Sequence, residues 1–120
     1  MAKSYRDLEI YTSSLQLFYQ LHPLSLQLPK YELYKLGSQV RRSSDSIVTN
    51  IVEGYGRKKY KADFLKFLIY AHSSSDETIC HLEKLNYLYP EIMQDHKTLK
   101  SDYEILGSKI LAFIRYVENS

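Results

Sequence analysis

The hydrophobic residues of this 120-residue chain recur every three to four positions, the spacing of amphipathic α-helices, and no strand-like alternation of useful length occurs. The pattern predicts four helices. The first is expected over residues 7–26, with Asp7 as its N-cap and with Pro23 kinking or ending it. Its apolar face is predicted to consist of Leu8, Tyr11, Leu15, Phe18, Tyr19, His22 and Leu26.

The second helix is predicted over residues 31–53, after a loop at Pro29, and Gly54 is well placed as the glycine just beyond its C-terminus. Two serines occupy its apolar stripe, and three consecutive serines follow at residues 73–75. Small residues at these positions predict a close crossing with the third helix, with hydroxyls bonding back to the backbone. The stripe is Leu33, Leu36, Val40, Ser43, Ser44, Ile47 and Ile51.

The third helix is predicted over residues 61–88, ending before Pro90, and the fourth over residues 98–118. Four amphipathic helices with short connections predict a single all-α domain over residues 1–120, an antiparallel up-down four-helix bundle. The third stripe is Phe64, Phe67, Leu68, Ala71, Ser75, Thr78, Ile79, Leu82 and Leu85. The fourth is Leu99, Tyr103, Leu106, Ile110, Phe113, Ile114 and Val117.

Composition narrows the class of protein. A hydrophobic content of 44% supplies a core, and three prolines with four glycines argue against disorder and against a turn-rich β fold. The single cysteine, Cys80, excludes an intramolecular disulfide framework. No apolar run has the length of a membrane span, and the N-terminal residues do not read as a signal peptide. We therefore expect a cytoplasmic protein.

The net charge is only +2, but it is unevenly distributed. Residues 35–66 contain eight cations and three acids, whereas residues 67–104 contain three cations and seven acids. Such an asymmetry suits an anionic partner at one face, or self-association between unlike faces. Ordinary solvated surface charge explains it equally well.

Cations gather along and beyond the second helix. Six of them are candidate phosphate contacts, and two tyrosines among them are available for stacking. Arg41 is also placed to pair with Asp45 one turn on. Glu53 is disfavoured by the helix dipole and is expected to pair with Arg57 or with an arginine of another chain. Asn50 is expected to bond the backbone or a neighbouring helix. The candidates are Arg41, Arg42, Arg57, Lys58, Lys59 and Lys61, with Tyr55 and Tyr60.

The second and third helices each carry a further apolar strip beside the main stripe. One core does not easily cover both faces of a helix, so this wide apolar surface predicts burial against another subunit. A broad core with partly exposed edges is the alternative. The predicted oligomer interface consists of Val48, Val52, Leu65 and Ile69, and Cys80 and Tyr87 extend the strip.

No group of residues indicates catalysis. The chain has no evident nucleophile–base pair, no glycine-rich phosphate loop and no CxxC pair. His72 and His81 fall on opposite sides of the third helix, and Glu77 with His81 has no counterpart on another helix for a di-metal site. We expect no enzymatic activity, no metal and no cofactor. A small enzyme with a site inside the bundle is the weakest alternative.

Three segments carry a family resemblance: YRDLEIY at residues 5–11, P-x-x-E-x-Y-x-L at residues 29–36, and, most specifically, residues 39–54. The residues that match in the last segment are Gln39, Arg41, Arg42, Ser43, Ser46, Ile47, Asn50, Ile51, Glu53 and Gly54. Phe64, Phe67, Leu68, Ala71, Ser74 and Glu77 also match. Over nearly its whole length the chain resembles the four-helix bundle proteins related to the product of the intervening sequence of bacterial 23S rRNA genes. This family is often labelled S23 ribosomal protein and includes accessory proteins of diversity-generating retroelements.

The resemblance implies a bundle that assembles as a ring-like pentamer and has no enzymatic activity. For some relatives it implies nucleic-acid binding through a basic surface, and for the retroelement branch a complex with a reverse transcriptase. Our leading hypothesis is a non-enzymatic homo-oligomer, a pentamer by this resemblance, that binds RNA, DNA or a nucleoprotein partner. The alternative is a protein-interaction scaffold that does not bind nucleic acid.

Overall fold

The computed structural model describes residues 2–120, and the regular elements within that range are helices. Two short helices and two 3-10 turns accompany four long helices. In chain order the elements are a 3-10 turn at Tyr5–Asp7, α1 at Glu9–Ser25, α2 at Lys30–Leu33, α3 at Leu36–Gly56, α4 at Lys61–Leu88, α5 at Pro90–Met93, a 3-10 turn at Gln94–His96, and α6 at Leu99–Glu118.

The four long helices enclose one hydrophobic core. Helix α3 packs against α1 and α4, and α6 packs against α4 and α1. Lys61 at the start of α4 bonds Ser120 beyond α6, and Lys109 midway along α6 bonds Glu9 at the start of α1. The predicted all-α bundle is confirmed. Its most deeply buried apolar side chains include Leu21, Val40, Ile47, Ile51, Leu68, Leu82, Leu85 and Ile110.

The start of α1 differs from the prediction. Asp7 does not cap this helix, because the Ser4 side chain and Asp7 form a capping box around the preceding 3-10 turn. Helix α1 therefore begins at Glu9, with Leu8 at its N-cap. Pro23 lies inside α1, which ends two residues later at Ser25, as expected of a proline near a helix terminus.

The buried face of α1 was also predicted wrongly. The helix buries Ile10, Ser14, Leu17, Leu21, Leu24 and Ser25. From the predicted face, Leu8 is buried, but Tyr19 and Leu26 are 62% and 54% exposed. Tyr11, Leu15, Phe18 and His22 are half-buried, and Tyr11 packs against the core. Helix α1 has apolar residues on two sides, and packing selected the side that contains Ser14, whose hydroxyl is satisfied by the Tyr11 carbonyl.

The predicted second helix is divided at Tyr34 and Lys35 into α2 and α3, and α3 continues to Gly56. Gly54 is not the terminating glycine. It is a buried residue of α3, and no glycine in the described range has a positive φ. A Cβ at Gly54 would lie 3.1 Å from the Phe67 Cβ, so this glycine lets α3 and α4 approach closely.

Hydroxyl groups line the crossing of α3 and α4. Thr78 Oγ1 donates a hydrogen bond to Ser43 Oγ at 2.8 Å, and Ser74 Oγ donates one to Ser46 Oγ at 3.0 Å. The Ser43 hydroxyl also bonds back to the Val40 carbonyl. The close crossing predicted from the serines is therefore present, and the predicted bounds of α4 are matched.

Candidate nucleic-acid interface

Residues 57–61 are called the basic turn here: they are the connection between α3 and α4, residues 57–60, together with Lys61, the first residue of α4. It is held by main-chain hydrogen bonds, from the Arg57 N–H to the Gly54 carbonyl at 3.0 Å and from the Tyr60 N–H to the Arg57 carbonyl at 2.9 Å. The Phe64 N–H then bonds the Tyr60 carbonyl and starts α4. The turn is thus a defined structure that projects four cationic side chains from one end of the bundle.

Arg57 lies between two carboxylates. Its Nη2 is 3.1 Å from Glu53 Oε1 and its Nη1 is 3.7 Å from Asp63 Oδ2, while its guanidinium carbon lies 5.0 Å from the centre of the Phe67 ring. The predicted pairing of Glu53 with Arg57 is present. The charge of Arg57 is compensated within the chain, so Arg57 contributes little net positive charge to the surface.

Two of the three lysines of the basic turn, Lys58 and Lys61, donate hydrogen bonds within the described residues. Lys58 Nζ donates to the Tyr55 phenol oxygen at 2.8 Å and lies 4.1 Å from the centre of that ring. Lys61 Nζ donates to the main-chain oxygen of Ser120 at 2.9 Å. Within residues 2–120, no Asp or Glu side chain forms an ion pair with Lys58, Lys59 or Lys61. These ammonium groups therefore form the positive surface of the turn.

Arg41 has a structural role that the sequence did not reveal. Its Nη1 donates to Ser25 Oγ at 2.9 Å and its Nη2 donates to the Leu33 carbonyl at 2.6 Å. The predicted pair with Asp45 is wrong, because the break between α2 and α3 leaves a carbonyl at the end of α2 that the guanidinium can reach. Arg41 is half-buried and occupied by these contacts.

Arg42 is exposed, and it makes no side-chain hydrogen bond or ion pair with the residues that the structure describes. It lies fifteen positions before Arg57, which corresponds to about 22 Å along a helix axis. The bundle is 45 Å long, so the six predicted cations fall into two separate groups. Arg41 and Arg42 form one group, and the basic turn forms the other.

An aromatic groove beside the basic turn was missed by the sequence analysis. It has a volume of about 370 Å³ and opens at the end of the bundle where α3, α4 and α6 meet. Successive ring centres are 6.4 Å apart for Tyr55 and Phe64, 5.9 Å for Phe64 and Phe113, and 6.0 Å for Phe113 and Tyr116. Lys58 and Lys61 lie at its edge. The spacing of Phe113 and Tyr116 by three residues near the end of α6 was the available signal.

Titratable groups elsewhere do not converge on a site. The Nε2 atom of buried His81 lies 3.3 Å from Glu77 Oε2 on the same helix, and His72 Nδ1 is 3.9 Å from Asp76 Oδ2. In the part of the chain that the structure describes, no group of three His, Cys, Asp or Glu side chains is arranged to hold a metal ion. Likewise, none of the helices in that part has the length and apolar character needed to cross a membrane.

One protein family matches most of the chain. Residues 6–112 match the family described as 23S rRNA-intervening sequence protein. The chain belongs to this family. The match extends from the first 3-10 turn into the last third of α6 and contains Arg41, Arg42 and the whole basic turn. A search of curated proteins found no match. The family description contains no reaction, substrate or cofactor.

The predicted oligomer interface of this family member differs in exposure from residue to residue. Val48 is 7% exposed, Val52 and Leu65 are half-buried, and Ile69 is 54% exposed. Asn50 bonds the Ser46 carbonyl of its own helix at 2.8 Å, as expected. The part of the strip that a second subunit would cover is therefore centred on Ile69 and includes the exposed edges of Val52 and Leu65.

Proposed function

We propose that this member of the 23S rRNA-intervening sequence family is a non-enzymatic homo-oligomer that binds nucleic acid, or a nucleoprotein, through the basic turn. One observation carries the proposal: Lys58, Lys59 and Lys61 lie together at one ordered turn, and within residues 2–120 no Asp or Glu side chain pairs with them. Phosphates would supply the missing negative charge and release the counterions that these lysines otherwise hold. The exposed Arg42 supplies a further contact for a long strand.

Assembly would increase the effect of each basic turn. The oligomer, a pentamer by family resemblance, would use the strip at Val48, Val52, Leu65 and Ile69, of which Ile69 is the most exposed. Several turns on one ring would bind one strand at several points, and the linked contacts would raise the overall affinity. The same proposal includes a cytoplasmic location and RNA, DNA or a reverse transcriptase as the partner.

The first experiment is light scattering coupled to size exclusion, with absorbance at 260 and 280 nm, at low and high salt. The proposal expects a ring-sized oligomer that carries nucleic acid at low salt and releases it at high salt. A monomer would refute the assembly, and an oligomer free of nucleic acid at both salt concentrations would favour a scaffold.

A paired substitution tests the basic turn itself. Replacing Lys58 and Lys59 with alanine should weaken binding to single-stranded RNA and flatten its dependence on salt by about 1.4 in log–log slope, roughly 0.7 for each lost phosphate contact. The matched control replaces Lys84 and Lys97, two exposed lysines of the acidic half. Equal losses from both pairs would show that binding follows net charge and would overturn the assignment to the turn.

A second candidate function rests on exposed aromatic residues at the opposite end of the bundle. Tyr31 and Tyr34 around α2 are 71% and 82% exposed, and Tyr87 in the last turn of α4 is 85% exposed. Tyr89 connects these elements by a 2.7 Å hydrogen bond to Glu32. Exposed tyrosines are typical of protein interfaces, so this end favours a protein-binding scaffold. Partner binding that is insensitive to salt but lost in Tyr34→Ala would support it.

A further inference from the structure

The aromatic groove and the basic turn share one end of the molecule and two of their residues. Lys58 and Lys61 belong to the turn and also line the groove. Opposite them, the last turns of α6 contribute Phe113 and Tyr116. A cationic edge and an aromatic wall thus face the same open space of about 370 Å³, within the size range of small-ligand sites.

The wall contains a flat aromatic platform. The rings of Phe113 and Tyr116 are stacked, with centres 6.0 Å apart and planes inclined by 27°. Phe113 is half-buried and supports the pair from the core side, whereas Tyr116 is 68% exposed. A ring that is stacked on one side and exposed to solvent on the other can receive a second planar group at small conformational cost.

The charges at the groove select the kind of planar group. The Lys58 ammonium is held by the Tyr55 phenol oxygen at 2.8 Å and has no carboxylate partner within residues 2–120. Lys61 donates to the main-chain oxygen of Ser120, and no Asp or Glu side chain within residues 2–120 pairs with it. Aromatic stacking beside ammonium groups that lack such a side-chain partner is the combination with which proteins bind single-stranded nucleic acids: bases stack on the rings, and phosphates contact the lysines.

We infer that this groove holds an unpaired nucleobase of a single-stranded nucleic acid, stacked on Tyr116, with the flanking phosphates on Lys58 and Lys61. The inference rests on the proposed function and adds to it the class of nucleic acid. A paired base is enclosed within its helix and cannot enter the groove without being extruded. A duplex would contact the lysines alone, so single strands should bind more tightly than duplexes of equal length.

Tyr116 provides the test, because its exposed side chain can be shortened without opening the core. The probes are fluorescein-labelled oligouridine and an RNA duplex of the same length, measured by fluorescence anisotropy with the full chain. Tyr116→Ala should weaken oligouridine binding about 5- to 150-fold, the effect of losing one base-stacking contact, and leave duplex binding unchanged. Tyr116→Phe keeps the ring and should bind as the wild type does. The matched control is Tyr19→Ala, since Tyr19 is 62% exposed and does not line the groove.

The outcomes distinguish the stacking site from the proposed function, nucleic-acid binding through the basic turn. If Tyr116→Ala binds oligouridine like the wild type while the Lys58 and Lys59 double variant does not, the stacking site is refuted and the basic turn stands. Equal losses on oligouridine and duplex also refute the stacking site. If the wild-type protein binds neither probe at low salt, the proposed function and the inference both fall.

Discussion

The Arg41 guanidinium donates a hydrogen bond to Ser25 Oγ at 2.9 Å and thereby ties the first turns of α3 to the end of α1. The same side chain bonds the Leu33 carbonyl at 2.6 Å, and Ser25 itself donates to the His22 carbonyl at 2.7 Å. Three helices therefore meet at one cation. The adjacent Arg42 is exposed and makes none of these contacts.

We expect Arg41→Ala to lower the free energy of unfolding by about 2 kcal/mol, because it removes two hydrogen bonds to a charged donor in a half-buried site. Arg41→Lys should not restore the loss, since one ammonium cannot reproduce the two-branched contact. Arg42→Ala should stay within about 0.5 kcal/mol of the wild type. Urea unfolding measures all three, and similar losses at both arginines would contradict this division of roles.

Removing Glu53, the nearer of the two carboxylates beside Arg57, should strengthen nucleic-acid binding. Glu53→Gln removes the partner at 3.1 Å, and the pair is exposed, so stability should change by less than about 1 kcal/mol. Asp63 remains 3.7 Å from the guanidinium, so the salt dependence of single-strand binding should steepen by at most about 0.7 in slope. Glu83→Gln, which removes the exposed partner of Lys100 at 3.8 Å, is the control with the same change in net charge. Equal gains from both variants would mean that Arg57 does not contact the strand.

Alanine substitutions at two glycines of α3 should change the stability of the fold in opposite directions. At Gly54 the new Cβ would lie 3.1 Å from the Phe67 Cβ and 3.4 Å from the Phe64 carbonyl oxygen, neither of which can swing away. Gly54→Ala should destabilise the fold by about 1–3 kcal/mol through overpacking. At Gly56 nothing lies within 4 Å, so Gly56→Ala should stabilise by up to about 1 kcal/mol through the unfolded state. Thermal or urea unfolding would detect this difference in sign.

Tyr103 should make the stability of the fold fall in alkali. Burial raises the pKa of its phenol, and the nearby Ser44 side chain offsets part of that rise. The folded state therefore favours the protonated form. The contribution of Tyr103 to the free energy of unfolding is complete below about pH 10. Above that pH it is lost by about 1.4 kcal/mol per pH unit, because the tyrosine ionises in the unfolded chain.

Tyr103→Phe tests this dependence, and it should cost little at neutral pH because the Tyr103 hydroxyl has no hydrogen-bond partner among residues 2–120. Urea unfolding above pH 10 should show a shallower slope for this variant. Part of the pH dependence should remain in this variant because of Tyr89, whose pKa is also raised by its hydrogen bond to the Glu32 carboxylate. The exposed Tyr87→Phe is the control, and a slope in Tyr103→Phe equal to that of the wild type would contradict the prediction.

The sequence predicted the buried face of a helix well where one apolar stripe clearly dominates the others. Helix α4 has one continuous main stripe and Pro90 just beyond its end, so its bounds and core residues were predictable. Helix α1 has apolar residues on two sides, and only contact with α3 and α6 decides which side is buried. Local periodicity cannot supply that decision, which is why Tyr19 and Leu26 were placed in the core although they are exposed.

The geometry of the candidate site was harder to predict from the sequence than the helices were, because most of it depends on tertiary contacts. The basic turn and its Glu53–Arg57 pair are local in sequence and could be predicted from spacing. The contact between Arg41 and Leu33 requires a helix break that no proline or glycine marks. The groove requires Tyr116 in α6 to lie beside Lys61 in α4, a proximity that arises only when the bundle is complete.

The hydroxyl pairs between α3 and α4 also affect the register in which these two helices pack. Purely apolar helix surfaces can pack in neighbouring registers that bury similar areas. A shift of one turn, about 5.4 Å, would break both the Thr78–Ser43 and the Ser74–Ser46 hydrogen bonds. The Ser74 hydroxyl would lose its partner, and Ser43 and Thr78 would keep only carbonyls of their own helices. Serines in the core thus select a single register for this helix pair. Because the basic turn joins the same two helices, that register also determines where its lysines stand relative to the end of α6.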